Sequence, residues 1–239
     1  MSFYDAGALQ RAIKDIYPNI EAKVPRHWPS GSPGERALWW ELSCCCLSSQ
    51  VPYDVAVAAA DAIDANGCLS NHSQLPTEAL SIELLGILST PLYVNGNHRL
   101  YRFRFSKADQ LARMKSEIVE QFGSLNGLVH HFSEAYDLRV WLVKNAPGIG
   151  PKQASMFARN TGISYDLAII DRHVLDYMHR SGLFVKQISA VSSFGKYCHL
   201  EDMLRDHAQS LGVVVGLLDW AIWIVMRAAK SLESEIKVV

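Results

Sequence analysis

The sequence predicts a mostly α-helical protein, and three observations carry that expectation. Apolar residues recur at helical spacing in segment after segment, as in Leu38, Trp39, Leu42, Cys45 and Cys46. Proline and glycine punctuate these segments about one helix length apart. No convincing pair of alternating strands, low-complexity block or tandem repeat interrupts them, and Leu183 to Ser193 is the one stretch where extended structure is tolerable. With 239 residues, 49% of them hydrophobic, the chain can bury the core of one large domain or of two small ones.

The first predicted helix runs from Tyr4 to Tyr17 and stops at Pro18, which has no N–H to continue it. Val24 to Gly34, with three prolines and two glycines, reads as an irregular connector. Glu35 to Ser48 is an apolar helix. Pro52 can open the next one, which closes at Asn66-Gly67 with glycine in its favoured place past a helix end. Thr77 to Ser89 is a shorter helix closed by Thr90-Pro91, and Tyr93 to Arg99 reads as a polar turn. Phe105 to Phe122 is amphipathic and ends at Gly123. Helices over Ser133 to Asn145 and Pro151 to Gly162 flank Pro147-Gly148-Ile149-Gly150. Leu167 to Ile170 is a brief apolar run before Asp171, which can cap a helix through Arg180. Leu200 to Ala229 holds two more helices, one rich in tryptophan.

Composition narrows the function. No apolar run approaches the ~18–20 residues that cross a bilayer. Met1-Ser2-Phe3-Tyr4-Asp5 lacks a basic start followed by an apolar block, so neither a membrane nor a secreted protein is expected. The 23 Lys and Arg against 24 Asp and Glu give a net charge of −1. Any phosphate-binding surface must therefore come from local clustering and from backbone N–H groups. The five cysteines, Cys44, Cys45, Cys46, Cys68 and Cys198, form no C-x-x-C pair, which removes the usual zinc-ribbon and iron–sulfur spacings. They read as buried reduced thiols and point to the cytoplasm.

The chemistry concentrates around Pro147-Gly148-Ile149-Gly150. Two helices joined this tightly need glycines that allow positive φ and close backbone approach. The N–H groups of Gly148, Gly150 and the next helix start have no intrahelical acceptor, and the helix dipole makes that end positive, so a phosphate fits there. Lys152 stands in that first turn, where the dipole disfavours a cation. The free amine favoured there is a nucleophile, although a solvated lysine or a simple phosphate contact suits the position as well. Asp171 lies nineteen residues further on. Capping alone accounts for it, but capping also holds a carboxylate at one spot, as a catalytic group requires.

Ala146-Pro147-Gly148-Ile149-Gly150-Pro151-Lys152 followed by Asp171 resembles the helix-hairpin-helix DNA glycosylases. Gly148 to Asn160 together with Leu167 to Val174 is most similar to the 8-oxoguanine DNA glycosylase/lyases, particularly the compact class best known from archaea. Glu41-Leu42 through Gln50, Arg102-Phe103-Arg104-Phe105 and Leu218 to Trp223 match as well, so the resemblance covers most of the chain after residue 35. The chain departs from the compact class in continuing from Ser231 to Val239, where that class ends near its base pocket.

The resemblance implies a mostly α, two-subdomain helix-hairpin-helix glycosylase fold with the active site in the cleft between subdomains. Residues 36–163 would form a helical barrel subdomain that includes the hairpin; residues 1–35 and 164–239 would form a second helical subdomain. It implies that Lys152 attacks C1′ of a flipped-out nucleotide, expels oxidised guanine and forms a Schiff base, from which β-elimination nicks the strand. Asp171 would stabilise the positive charge developing on the sugar. Gly148, Gly150, His173, Gln50 and Arg104 are the implied DNA contacts, with Gln50 filling the gap left by the extruded nucleotide.

Asp219, Trp220 and Trp223 are candidates for the base pocket, since stacking plus an acceptor suits a flipped purine, although tryptophans at i and i+3 also suit a core. His98, Arg99, Arg102, Arg104, Lys107 and Arg113 are candidates for the DNA path. The expected partner is double-stranded DNA containing a damaged base, bound by a monomer without a membrane. No cofactor and no iron–sulfur cluster are expected, and a monovalent cation at the hairpin is left open. The same chemistry on another damaged or modified base, and a non-catalytic DNA-binding hairpin, stand as alternatives.

Overall fold

A computed structural model describes residues 5–24, 33–71, 75–186, 188, 190–191 and 193–236, with side chains through residue 232. The chain divides into two compact units, Pro29–Thr161 and the pair Met1–Trp28 with Gly162–Val239. The connector predicted over Val24 to Gly34 lies mostly outside the described residues.

In the terminal unit, α1 (Ala6–Glu21) is capped by Asp5, whose side chain accepts from the Ala8 N–H at 2.6 Å. It passes through Pro18, contrary to the predicted stop. The apolar stripe of Leu9, Ile13, Tyr17 and Ile20 continues beyond the proline, and burying Ile20 against α11 (Val215–Ile236) carries the helix one further turn. The hydroxyl of Tyr17 accepts from the Val214 N–H at 2.9 Å, which ties α1 to the start of α11. Helices α9 (Arg172–Arg180) and α10 (Phe194–Leu211) also pack on α11, the centre of this unit's core.

Gly216 opens α11 where its N–H donates to the Tyr165 carbonyl at 2.8 Å. A Cβ there would lie 2.5 Å from that oxygen and 2.9 Å from the Leu167 carbonyl. Only glycine lets the helix approach the 165–167 backbone this closely.

In the other unit, α2 (Glu35–Leu47) is buried on nearly every face, with Leu38, Leu42, Cys44, Cys45, Cys46 and Leu47 fully enclosed. The three cysteines are packing residues, as expected of small apolar side chains. Around it lie α3 (Tyr53–Asn66), α4 (Thr77–Leu88), α5 (Arg104–Phe122), α6 (Leu125–His131), α7 (Ala135–Asn145) and α8 (Pro151–Asn160). Gly67 and Gly123 close α3 and α5 in the left-handed conformation, at the predicted ends.

In this unit one expectation fails and one helix goes unpredicted. The stretch read as a polar turn is a β-hairpin, with β1 (Leu92–Val94) antiparallel to β2 (Asn97–Arg99) in the register Leu92↔Arg99, Tyr93↔His98 and Val94↔Asn97. Asn95 (φ 51°) and Gly96 (φ 80°) supply the two left-handed residues that a two-residue hairpin turn requires. Three-residue strands are too short to show alternation, and the burial of Leu92 and Val94 against α3 stabilises the pair. In the terminal unit, no strand occurs over the described part of Leu183 to Ser193.

The unpredicted helix is α6. Its seven residues are too few to be helical alone, and tertiary contacts hold its start. The Ser124 hydroxyl accepts from the Gly127 N–H at 2.9 Å. Glu35, ninety positions earlier, accepts from the N–H groups of Leu125 and Asn126, each at 2.8 Å, and from the Trp39 indole at 2.8 Å. Among the described residues no single helix is long and apolar enough to cross a membrane.

Because Glu35 satisfies two helix-start donors that would otherwise be unpaired, Glu35→Ala is expected to destabilise the protein by about 1–3 kcal/mol. Urea unfolding reads this directly, and an unchanged midpoint would show that the carboxylate contributes nothing to α6.

Candidate active site

Between α7 and α8, Ala146-Pro147-Gly148-Ile149 is a type II turn. The Ile149 N–H donates to the Ala146 carbonyl at 3.1 Å, Pro147 sits at the second position, and Gly148 adopts φ +84° at the third. A Cβ on Gly148 would also lie 2.2 Å from Gln110 Oε1 and 3.1 Å from Cys46 Sγ. Gly150 behaves otherwise. It is the extended N-cap residue (φ −97°, ψ 179°), so only one of the two glycines uses the positive φ expected of both.

No side chain caps α8, and Pro151 occupies its first turn, where a missing N–H costs nothing. The helix therefore presents unengaged N–H groups and its positive end, an arrangement suited to a phosphate. Lys152 follows in that turn and is half-buried. Among the described residues of its unit, no hydrogen bond or ion pair engages its amine.

Side chains that the sequence reading missed hold α8 in place. Arg139 on α7 is fully buried; its Nη1 donates to the Ser155 hydroxyl at 3.1 Å, and its guanidinium lies 5.2 Å from the Tyr136 ring centre. Gln153 donates to the Ser49 hydroxyl at 3.0 Å, and Asn160 donates to Glu41 at 2.7 Å. Burial pushes the Glu41 carboxyl above its ordinary range, opposed by the bonds from Asn160 and Cys45 and by the Arg159 charge. Thus both ends of α8 are tied to the α2 region by polar contacts.

In the terminal unit, Asp171 caps α9. Its Oδ1 accepts from the N–H groups of His173 at 2.8 Å and Val174 at 2.9 Å, while Oδ2 takes no bond in the cap. The carboxylate is thus fixed by one oxygen and offers the other. Upstream, the backbone of 168–170 is bonded by side chains. Glu201 Oε1 accepts from the Ala168 N–H at 2.7 Å, and Asp219 Oδ2 accepts from the Ile169 N–H at 2.6 Å. The Tyr197 hydroxyl accepts from the Ile170 N–H at 3.0 Å and donates to the Ala168 carbonyl at 2.7 Å.

His173 is 6% exposed; its Nε2 accepts from Arg172 Nε at 3.4 Å, and Nδ1 has no partner among the described residues. Burial lowers its pKa, the Asp171 charge opposes this, and Lys230, Arg172 and Arg227 lower it further. These three cations also place positive charge around the start of α9.

Gln50 is exposed and left-handed, at φ 58°. A non-glycine residue in that region costs about 1–2 kcal/mol, strain of a kind that accumulates at functional positions. Arg102 and Arg104 each set a guanidinium 4.9 Å from the ring centre of the phenylalanine that follows. Lys107 departs from the expected DNA path. It is 6% exposed, with Nζ 3.6 Å from Cys46 Sγ, because its face of α5 turns into the core. Arg113 is paired to Asp109 at 2.6 Å.

Of the residues assigned to a base pocket, Asp219 is 1% exposed and engaged as described, and Trp220 packs partly against the core. Trp223 is 37% exposed, with the Arg227 guanidinium 4.4 Å from its ring centre. It is the more accessible stacking surface of the two tryptophans.

Residues 27–213 match the Ogg-HhH family, 8-oxoguanine DNA glycosylase. An 8-oxoguanine DNA glycosylase/AP lyase of a Thermotoga species (strain RQ2) is 31% identical over 92% of this chain and 94% of its own length. The protein of that description from Methanocaldococcus jannaschii is 34% identical over 92% of this chain and 93% of its own. The crystal structure of the Methanocaldococcus jannaschii 8-oxoguanine glycosylase/lyase in complex with a 15mer DNA containing 8-oxoguanine superposes with a TM-score of 0.68, at 25% identity, over 90% of this chain and 95% of that one. With its hairpin, its Lys152 and its Asp171 cap in place, this chain belongs to the helix-hairpin-helix 8-oxoguanine DNA glycosylase family.

Proposed function

We propose that this protein excises 8-oxoguanine from double-stranded DNA and then nicks the resulting strand as a lyase. The observation that carries the reading is Lys152, an amine without a salt-bridge partner among the described residues of its unit, in the uncapped first turn of α8 directly after the Pro-Gly hairpin. Relatives described as 8-oxoguanine DNA glycosylase/AP lyases over nearly the whole chain length support the same reaction.

In this reading the phosphate backbone docks on the N–H groups around Gly148, Gly150 and the start of α8, which needs no excess of basic residues. The damaged nucleotide is extruded, at a cost of a few kcal/mol, and Gln50 takes its place in the stack. Asp219 and Trp223 belong to the pocket for the flipped base, and His173 and Arg104 contact the DNA. Residues 36–163 act as the barrel subdomain, and residues 1–35 and 164–239 as the second helical subdomain. The unprotonated Lys152 Nζ forms a bond to C1′ as the N-glycosidic bond breaks, and its electron pair leaves with the base, which takes up a proton.

The Oδ2 of Asp171, which takes no part in the cap, faces the positive charge that develops on the sugar. Opening of the sugar ring gives the Schiff base between Nζ and C1′. Loss of a C2′ proton then expels the 3′ phosphate and breaks the strand. No cofactor takes part; the protein acts as a monomer in the cytoplasm, where it reaches the chromosome.

Borohydride trapping on a duplex carrying 8-oxoguanine tests the proposal. A covalent adduct that forms with the wild type and is lost in Lys152→Gln is the expected result. Trapping at an abasic site alone would move the substrate to another base, and no adduct with either would leave only a DNA-binding hairpin. Asp171→Asn keeps a capping oxygen and is expected to slow excision by orders of magnitude with duplex affinity nearly intact. Equal loss of both would reduce Asp171 to a structural cap.

Gly148→Ala forces a side chain into the left-handed region, at about 1–2 kcal/mol, and pushes Gln110 aside. Melting temperature should fall, and duplex affinity should drop by about tenfold in fluorescence anisotropy, a factor equal to ~1.4 kcal/mol. Wild-type affinity would mean that the turn does not shape the phosphate site.

A further inference from the structure

We infer that Tyr197 and Glu201 are positioning residues for Asp171: one turn apart on α10, they set the backbone that delivers the catalytic carboxylate. The inference rests on the role given to Asp171 above and concerns what holds that residue.

Residues 167–170 carry no regular secondary structure, so their buried N–H and carbonyl groups have no neighbouring strand to pair with. The side chains that satisfy them alternate. The N–H groups of Ala168 and Ile170 go to Glu201 and Tyr197 on α10, whereas that of Ile169 goes to Asp219 on α11. This is the two-residue alternation of an extended chain with helix side chains substituting for strands. Glu201 and Tyr197 stand at i and i+4, hence on one face of α10. Both are buried, at 2% and 1% exposure.

Tyr197 has the more demanding task, because its hydroxyl is donor to the Ala168 carbonyl and acceptor from the Ile170 N–H at once. Immediately downstream the Asp171 N–H donates to the Ile169 carbonyl at 3.0 Å, and the Oδ1 cap fixes the side chain. The backbone entering Asp171 is therefore defined from α10, and the side chain leaving it is defined by α9. Arg205 reinforces the arrangement, with Nη2 donating to the Asp166 carbonyl at 3.1 Å and lying 3.5 Å from Glu201. A tyrosine that merely filled the core would not need its hydroxyl in two backbone bonds directly before the catalytic residue.

Tyr197→Phe in the full chain tests the inference. Measured are single-turnover excision of 8-oxoguanine, its pH profile, affinity for the uncleaved duplex and melting temperature. Releasing the backbone displaces the carboxylate, and misplacement by about 1 Å can cost on the order of 100-fold in rate. The expected result is excision slowed by about 10- to 100-fold with an altered pH profile and duplex affinity within about twofold of wild type. Ile13→Val, in the same core but remote from the segment, should lower the melting temperature and leave the rate unchanged.

A wild-type rate and profile in Tyr197→Phe, whatever its melting temperature, would overturn the inference. Should that variant fail to fold, Glu201→Asp, whose carboxyl is one methylene too short for the Ala168 N–H, gives the same reading. Slower excision with affinity retained supports positioning, and an unchanged rate refutes it. If Asp171→Asn itself excised at full speed, the role of Asp171 would fail, a result separable from a silent Tyr197→Phe beside a crippled Asp171→Asn.

Discussion

The terminal unit depends on a constraint that side chains, not a sheet, must meet: three successive buried N–H groups, those of Ala168, Ile169 and Ile170, each need an acceptor. An unmet buried donor costs about 1–3 kcal/mol, so three unmet in a row would consume a large part of a domain's stability. Two helices therefore commit a tyrosine and two carboxyl groups to this short backbone stretch. The commitment fixes the entry to α9, and Asp171 inherits its position from it. Gly216 belongs to the same device, because any larger residue there would push α11 away from the 165–167 carbonyls and move Asp219 with it.

The hairpin unit solves a different problem. With a net charge of −1, the chain has no general electrostatic attraction for a polyanion. The positive end of α8 is a local substitute, and its precision depends on how firmly the helix is held. Arg139, Gln153 and Asn160 tie it to α7 and to the α2 region, while Gly148 lets the turn settle against Gln110 and Cys46. Buried Glu41 is held by donors from both α2 and α8, so its desolvation cost is offset where the hairpin meets the core.

What was legible in the sequence was punctuation and local chemistry. Pro52, Gly67, Gly123 and Pro151 mark helix limits through backbone properties that no tertiary context changes, and Asp171 caps through bonds within three residues of itself. The failures share a cause. Pro18 lies inside α1 because burial of Ile20 outweighs one missing hydrogen bond, and α6 exists because Glu35 reaches it from ninety positions away. The hairpin over Leu92 to Arg99 rests on packing against α3, and Lys107 is withdrawn from a basic run by its place on the core face of α5. Arg139, Tyr197 and Glu201 act through partners sixteen or more residues distant, which no local pattern encodes.

Asp219 shows why positioning and recognition are hard to separate in such a site. One of its oxygens already serves the Ile169 N–H, so a base read by this residue would be read by a group whose geometry is tied to the backbone leading into Asp171. A substitution at Asp219 would remove the Ile169 bond along with any contact to a base, so its kinetic effect could not be divided between the two. The Tyr197 hydroxyl bonds the backbone of this segment twice, at the Ile170 N–H and at the Ala168 carbonyl. Tyr197 is therefore the cleaner probe of positioning, because removing its one oxygen breaks two bonds to the backbone that leads into Asp171, the carboxylate proposed for catalysis.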